Sequence, residues 1–189
     1  PLDPDGPAAR NAAVLRASRP DLLLAAVDCR DVDLPRATAN ELASRSATRS
    51  IDGFAEVAAD RPVYVMHTSG STGVPKGVVV PQRALAAFLA TFGPVLAIGA
   101  SDRWLAITTV GFDIALLELL GPLVHGASVH VAPAIAGEPV ELLRALADPA
   151  ITLLQATPTT WRLLQQHGFA GRNDLRALVG GEPLPADLA

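Results

Sequence analysis

The 189-residue sequence has few of the residues that mark several common classes of protein. Its single cysteine, Cys29, excludes an internal disulfide, and one thiol does not make a metal-binding framework. No apolar run has the length of about 20 residues that a transmembrane helix needs. The 15 basic and 19 acidic residues give a net charge of −4, which excludes the basic field of a typical nucleic-acid-binding protein. We therefore expect neither a membrane nor nucleic acid as a partner.

The composition that remains is typical of a folded domain, since 50% of the residues are hydrophobic and only 18% are charged. The length fits one domain or part of a larger one. Lys76 is the only lysine among the 15 basic residues, so its position attracts attention. The chain begins at Pro1 rather than at methionine and ends without an evident terminator. We expect residues 1–189 to be part of a larger domain, truncated at both ends.

Apolar runs that are bounded by turn residues alternate with helical patterns along most of the chain. The predicted strands cover residues 22–27 (a buried parallel strand), 62–66, 77–80, 104–108, 128–132, 151–156 and 175–179. The predicted helices cover residues 7–18, 81–92, 114–120 (stopped at Gly121-Pro122), 140–147 and 158–166. Residues 28–61 have only weak helical periodicity and are interpreted as a surface connection. This order predicts an α/β fold with layered sheets, flanking helices and parallel pairing.

A glycine-rich loop between two of these strands contains the clearest chemical signal. Glycine permits positive φ and a close approach of backbone N–H groups to an anion, while hydroxyls and a lysine add further donors. The loop therefore predicts a polyphosphate site, formed by Thr68, Ser69, Gly70, Ser71, Thr72, Gly73, Lys76 and Gly77. It is not a P-loop, because Lys76-Gly77 leads into a strand instead of a helix. The alternative is a flexible hairpin tip at the surface.

The stretch from Tyr64 to Gly77 resembles the phosphate-binding signature of adenylate-forming enzymes, which include amino-acid adenylation domains, acyl-CoA ligases and luciferases. The resemblance is closest to the adenylation domains of nonribosomal peptide synthetases and covers essentially the whole chain. Pro1-Leu2-Asp3-Pro4 with Pro7 and Arg10, Gln155-Ala156-Thr157-Pro158, and Gly180-Gly181-Glu182 are similar to further motifs in the family's order. Gly6 departs from the family, which usually has an aromatic residue there. The resemblance implies part of the large N-terminal subdomain, without the C-terminal lid.

Phe112-Asp113 opens a predicted helix, where an acid commonly caps free N–H groups. The resemblance implies instead that Asp113 pairs with the α-ammonium group of an amino-acid substrate, a role that acyl-CoA ligases do not need. Ala115 departs from the serine of many relatives. The implied substrate pocket consists of Asp113, Ile114, Leu117, Gln155, Leu178 and Gly180, a pattern that resembles glycine-activating domains. The alternative is that the three bulky apolar residues of this set belong to the ordinary core.

Residues 181–183 and the four histidines are the remaining candidates for a functional role. The resemblance implies that Gly181, Glu182 and Pro183 line the adenine and ribose side of the nucleotide site, and a plain turn is compatible with this role. The histidines, His67, His125, His130 and His167, do not have metal-ligand spacing, so we expect structural or surface roles for them.

The resemblance implies a cytoplasmic ligase that uses ATP and Mg²⁺ to form an aminoacyl-adenylate, with the metal-binding acid outside these residues. The acyl group would then pass to the phosphopantetheine thiol of a carrier domain, next to condensation domains. No catalytic residue is assigned within residues 1–189, and Lys76 is not the family's adenylation lysine. We therefore expect this chain alone to be inactive. An acyl-CoA ligase and a non-catalytic nucleotide-binding or assembly module remain as alternatives.

Overall fold

The computed structural model describes residues 1–3, 6–25, 34–46, 56–68, 75–132 and 135–188. The strands in these ranges are β1 (Leu23–Ala25), β2 (Arg36–Thr38), β3 (Pro62–Thr68), β4 (Lys76–Pro81), β5 (Arg103–Ala106), β6 (Ser128–Val131), β7 (Leu153–Ala156) and β8 (Arg176–Val179). The helices are α1 (Ala8–Ser18), α2 (Ala39–Ser46), α3 (Gln82–Leu96), α4 (Ile114–Val124), α5 (Pro139–Leu146) and α6 (Pro158–Gln166).

A four-stranded parallel sheet with the order β6-β5-β7-β8 forms the centre of the fold. Strands β5 and β7 are almost fully buried, because helices cover the sheet on both faces. On one face, Leu85 and Leu89 of α3 and Leu117 of α4 pack with Trp104 and Leu153 of the sheet. Helices α5 and α6 cover the other face, whose buried cluster contains Leu105, Leu142, Leu146, Leu154, Trp161 and Leu164. The predicted α/β fold with parallel pairing and flanking helices is confirmed.

Two smaller sheets accompany the central one. Strands β3 and β4 form an antiparallel pair joined by the glycine-rich loop, and β1 pairs with β2 in parallel. Strand β2 and helix α2 lie inside residues 28–61, so the prediction that this stretch is only a connection is wrong for residues 36–46. Strand β1 is parallel as predicted, but it is not buried, since Leu24 is 61% exposed. Parallel pairing with a neighbour therefore does not bring this apolar run into the core.

Helices α3 and α4 continue further than their sequence predicts. The Gly121-Pro122 pair was expected to end α4, yet the helix continues to Val124 with both residues buried. Helix α3 likewise continues through Pro94 to Leu96. Each proline lies in the last turn, where one lost N–H donor weakens the helix less than it would in the middle. No helix in the described ranges combines the length and the apolarity needed to cross a membrane.

A buried carboxylate ties together the amino ends of three strands of the central sheet. Asp102, which is 7% exposed, accepts hydrogen bonds from Gly99 N and from Thr152 Oγ1, each at 2.8 Å, and pairs with Arg176. Burial raises the pKa of Asp102, but these hydrogen bonds and the arginine charge lower it by more, so the net pKa is below its ordinary value. This cluster fixes one edge of the sheet and leaves the opposite edge for a ligand.

Candidate functional site

The carboxyl edge of the central sheet collects most of the residues that the sequence assigned to a substrate pocket. Because the strands are parallel, the segments that follow β5, β7 and β8 all emerge at the same edge. This is where ligands bind in open α/β sheets. The register pairs Gln155 of β7 with Leu178 of β8, which places their side chains on one face of the sheet. Helix α4, which begins at Ile114, packs on that same face.

Gln155, Ile114 and Gly180 meet at this edge. A Cβ atom added at Gly180 would lie 3.5 Å from Gln155 Nε2 and 3.8 Å from Ile114 Cδ1. Both distances are ordinary van der Waals contacts, so these three residues form the wall of one small space. Gln155 is only 4% exposed, which is unusual for an amide side chain. The structure thus brings together three of the six residues assigned to the substrate pocket.

Two other members of that set lie deeper in the fold. Leu117 is 2% exposed and packs with Trp104 and Leu153 in the buried cluster under α3. Leu178 packs against the same cluster, and its carbonyl oxygen accepts a 3.0 Å hydrogen bond from Trp161 Nε1. Both residues are therefore part of the core, as the alternative interpretation held, and they form the base on which Ile114 and Gln155 sit.

Asp113 lines a different space from these residues. It is exposed at the N-cap position of α4, and its side chain makes no capping hydrogen bond, so the capping interpretation finds no support. Burial and the nearby charge of Asp113 both raise the pKa of the Tyr64 hydroxyl. Asp113 therefore lies close enough to β3 for its charge to act on Tyr64.

Asp113 lines a cleft of about 590 Å³ between α1, the β3–β4 pair and the segment before α4. The same cleft is lined by Arg10, Tyr64, His67, Thr68 and Phe112. Arg10 Nη2 donates a 3.1 Å hydrogen bond to the carbonyl oxygen of His67, which links α1 to β3. Of the sequence-assigned site residues, Asp113 and Thr68 line this cleft, and Ile114 and Gln155 do not.

Strands β3 and β4 are the two arms of the glycine-rich loop. Thr68 pairs with Lys76 and His67 pairs with Gly77, so the arms meet directly below the loop. A Cβ at Gly77 would lie 3.1 Å from Val65 Cγ1 and 3.2 Å from His67 Nε2, which is tighter than a larger residue tolerates easily. Ser69, Gly70, Ser71, Thr72 and Gly73 lie outside the described residues. The described part of the loop is therefore its base, with the exposed Lys76 on one arm.

Gly181, Glu182 and Pro183 follow β8 at the same edge of the sheet. Gly181 has φ +84°, a conformation that favours glycine. Glu182 Oε2 accepts a 2.7 Å hydrogen bond from Thr159 Oγ1 and a 3.3 Å bond from Thr159 N in the first turn of α6. The bonds from Thr159 outweigh desolvation and lower the pKa of Glu182. The turn interpretation therefore holds, and the nucleotide-binding role stays a prediction.

The sequence analysis missed one residue of this edge, Glu118 of α4. It is 0% exposed, and its Oε2 atom accepts 2.9 Å hydrogen bonds from Ile107 N and Thr108 N. Its Oε1 atom lies 2.6 Å from Thr108 Oγ1. An acid inside the apolar run of α4, on the face shared with Ile114, was the signal that could have revealed it.

The histidines and acids form no metal centre in the part of the chain that the structure describes, where no three ligand side chains converge. His125 Nδ1 lies 2.9 Å from Gly121 O, and His167 Nδ1 lies 2.8 Å from Leu163 O. These two histidines thus close the ends of α4 and α6. His67 lines the cleft described above, and His130 is exposed on β6.

Fold and site together define an α/β domain that is suited to hold a ligand at the carboxyl edge of its central sheet. A family model described as AMP-binding enzyme matches residues 1–189, and the chain belongs to this family.

Relatives and solved structures agree with the family. The dimodular nonribosomal peptide synthase of Bacillus subtilis (strain 168) is 37% identical over 199 residues, which cover 100% of this chain and 8% of that synthase. A four-domain nonribosomal peptide synthetase, crystallised with AMP and glycine, matches with a TM-score of 0.83 and 34% identity over 100% of this chain and 14% of that chain. The N-terminal subdomain of Klebsiella oxytoca NpsA, in complex with 3-hydroxybenzoyl-AMSN, has a TM-score of 0.87 at 23% identity, over 100% of this chain and 48% of that chain.

These matches confirm the predicted resemblance to the adenylation domains of nonribosomal peptide synthetases. They also confirm the fold of the N-terminal subdomain of adenylate-forming enzymes. The chain spans only a small part of each of the two synthetases.

Proposed function

We propose that the complete protein carrying this chain activates an amino acid with ATP, forming an aminoacyl-adenylate and releasing pyrophosphate. The substrate carboxylate would attack the α-phosphorus of ATP, the bond to the pyrophosphate would break, and the pyrophosphate would leave with its electron pair. The observation that supports this proposal best is the cleft that Asp113 and Thr68 share. Asp113 on one wall can bind a cationic amine, and Thr68 on another wall is the first residue of the glycine-rich loop.

The charges of the reactants explain the use of these groups. Two anions must approach each other, so donors at the loop have to offset their repulsion and stabilise the leaving pyrophosphate. Lys76 is exposed at the base of the loop, where its ammonium group is available to a phosphate. Asp113 would hold the substrate's ammonium group by a charge-assisted hydrogen bond and so orient its carboxylate. Residues 68–77 and 181–183 would form the two sides of the nucleotide site.

Mg²⁺ would supply charge neutralisation at the phosphates in such a reaction. The described residues do not contain a cluster of acids that fits this ion. We propose that the acid that binds this metal lies outside residues 1–189. We also propose that the C-terminal lid lies outside these residues.

We propose glycine as the amino acid. Ile114, Gln155 and Gly180 lie close together, since a Cβ at Gly180 would contact the other two side chains at 3.8 and 3.5 Å. Steric exclusion of larger side chains discriminates strongly, whereas a pocket rejects smaller ligands weakly. The bound glycine of the four-domain synthetase is consistent with this choice. A phosphopantetheine thiol on a carrier domain of the same cytoplasmic synthetase, beside its condensation domains, would then attack the aminoacyl carbonyl, forming a thioester and releasing AMP.

Pyrophosphate exchange by the complete protein, measured with a panel of amino acids, tests this proposal. We expect glycine to give the highest exchange and residues 1–189 alone to give none. Higher exchange with serine or phenylalanine would refute the choice of glycine. Exchange with carboxylic acids that lack an amine, at the rate seen with glycine, would instead favour an acyl-CoA ligase. Absence of exchange with every acid would favour a non-catalytic nucleotide-binding module.

A further inference from the structure

Glu118 is a buried acid to which the proposed reaction gives no role. Three donors converge on its carboxyl group, two from the backbone at the end of β5 and one from the Thr108 hydroxyl. Burying an acid is costly, and these three bonds offset part of that cost and fix the position of the carboxyl group. Burial raises the pKa of Glu118, and the bonds from Thr108 and Ile107 offset that effect only in part.

Thr108 connects this acid to the substrate pocket. Its Oγ1 atom lies 2.6 Å from Glu118 Oε1 and, on its other side, 3.4 Å from Gln155 Oε1. The same amide side chain places its Nε2 atom 3.5 Å from the position of a Cβ at Gly180. The Thr108 hydroxyl thus connects Glu118 to the Gln155 amide in the pocket wall.

A threonine hydroxyl has only one hydrogen to donate. In the structure the amide oxygen of Gln155 faces Thr108 and its nitrogen faces Gly180, so the single Thr108 hydrogen is shared between a near acceptor, Glu118, and a more distant one, Gln155. If the group at position 118 is itself a donor, the threonine hydrogen is released to Gln155 and holds the amide oxygen more firmly. The group at position 118 therefore determines how firmly Thr108 holds the oxygen end of Gln155, and with it the nitrogen end that faces Gly180.

We propose that Glu118 is a positioning residue for substrate selection, acting through the Thr108 hydroxyl to hold and orient the Gln155 amide against Gly180 and Ile114. This inference rests on the proposed function, because the space next to Gly180 is the one assigned to the substrate side chain. The Gln155 amide would fill that space when the Thr108 hydroxyl holds it in place. Without this contact the amide could move aside and admit a larger substrate side chain.

A pair of substitutions at Thr108 separates the hydroxyl from the rest of the side chain. Thr108→Val keeps the shape and removes the hydroxyl, whereas Thr108→Ser keeps the hydroxyl and removes the methyl group. In the complete protein we expect Thr108→Val to lower the preference for glycine over alanine about threefold to tenfold, within the range that one methyl group contributes to specificity. We expect Thr108→Ser to retain the wild-type preference. The KM for ATP should stay within about twofold of wild type in both variants, because the hydroxyl faces the amide rather than the loop.

Thr152→Val provides a matched control for a purely structural effect. The Thr152 hydroxyl also donates to a buried carboxylate, Asp102, but at the opposite edge of the sheet. We expect this variant to lower the melting temperature without changing the preference for glycine over alanine. If Thr108→Val gave the same pattern as Thr152→Val, or if Thr108→Val and Thr108→Ser changed the preference equally, the inference would be overturned.

A spectroscopic readout tests the coupling without any turnover. Glu118→Gln is nearly isosteric, and its amide nitrogen donates to Thr108, so the Thr108 hydrogen should pass to the Gln155 oxygen and change the environment of its amide. We expect the side-chain NH₂ signals of Gln155 to shift in Glu118→Gln and Thr108→Val, and to remain in place in Thr108→Ser. Selective ¹⁵N-glutamine labelling gives these signals, and a Gln155→Met spectrum identifies them. Unchanged Gln155 signals in Glu118→Gln would refute the coupling. If wild-type protein exchanged no amino acid, the proposed function would fail, and this comparison would still decide the coupling.

Discussion

Replacing Asp113 by asparagine removes one negative charge from the cleft while leaving the shape of the side chain almost unchanged. In the proposed complex this charge accepts a hydrogen bond from the substrate ammonium group. A hydrogen bond to a charged group contributes about 1.5–3 kcal/mol. Because Asp113 is exposed on the cleft wall, solvent screens the pair, and the lower part of this range, about 1.5–2 kcal/mol, is the appropriate estimate. The expected increase in the KM for glycine is therefore about 10- to 30-fold.

Pyrophosphate exchange with the complete protein measures this increase when glycine and ATP are varied separately. The KM for ATP should remain within about twofold of wild type, because Asp113 faces the amine rather than the phosphates. Glu138→Gln is the matched control, since Glu138 also occupies an N-cap position, on α5, and makes no side-chain capping bond. Glu138 does not line the cleft, so this variant should leave both constants unchanged. An equal rise in the KM for glycine and for ATP, or a rise below about threefold for glycine, would refute the role assigned to Asp113.

Two further predictions concern stability. Asp102→Asn should lower the free energy of unfolding by about 1–3 kcal/mol at neutral pH, since it leaves Arg176 without its partner. The pKa of Asp102 is below its ordinary value of 3.8, so its contribution is complete above that value and is lost as the pH falls through the lower folded-state pKa. The difference between the two proteins in urea titrations should therefore shrink as the pH falls below 3.8, and a difference that stays constant below that pH would contradict this assignment. Gly93→Ala should lower the melting temperature, because a Cβ on α3 would overlap the ring of His125, and Gly99→Ala, where such a Cβ meets open space, is its control. Equal melting temperatures for the two glycine variants would show that the helices move apart at little cost.

The alternation of apolar runs and helical patterns was sufficient to predict the central sheet and its flanking helices. Helix α6 was predicted with its observed boundaries, since Thr157 and Pro158 give a clear N-terminal signal and Thr157 Oγ1 accepts from Thr160 N. The end of α4 was wrong, because Gly121-Pro122 is tolerated where tertiary packing buries both residues. Local propensity favours a particular secondary structure, but tertiary packing determines whether the chain adopts it.

The candidate site was likewise predicted only in part from the sequence. The motif containing Asp113 could be recognised in the sequence, and so could the loop with Lys76. The proposed role of Glu118 could not be recognised, because its hydrogen-bond partners follow strand β5 and become its neighbours only in the folded structure. A lone acid in an apolar run is ambiguous until its partners are known.

The geometry of helix α4 explains how Asp113, which lines the cleft, and Ile114, which lies beside Gln155 and Gly180, can be adjacent in sequence. Ile114, Leu117, Glu118 and Gly121 are spaced by three or four positions and so share the face that packs on the sheet. Asp113 precedes Ile114 by one residue, a rotation of about 100° around a helix, which places Asp113 on the cleft beside β3. Leu117, held between Trp104 and Leu153, fixes the rotation of the whole helix. The core therefore sets the direction of Asp113 and the reach of Glu118 together, and a substitution that rotates α4 should disturb amine binding and side-chain selection at once.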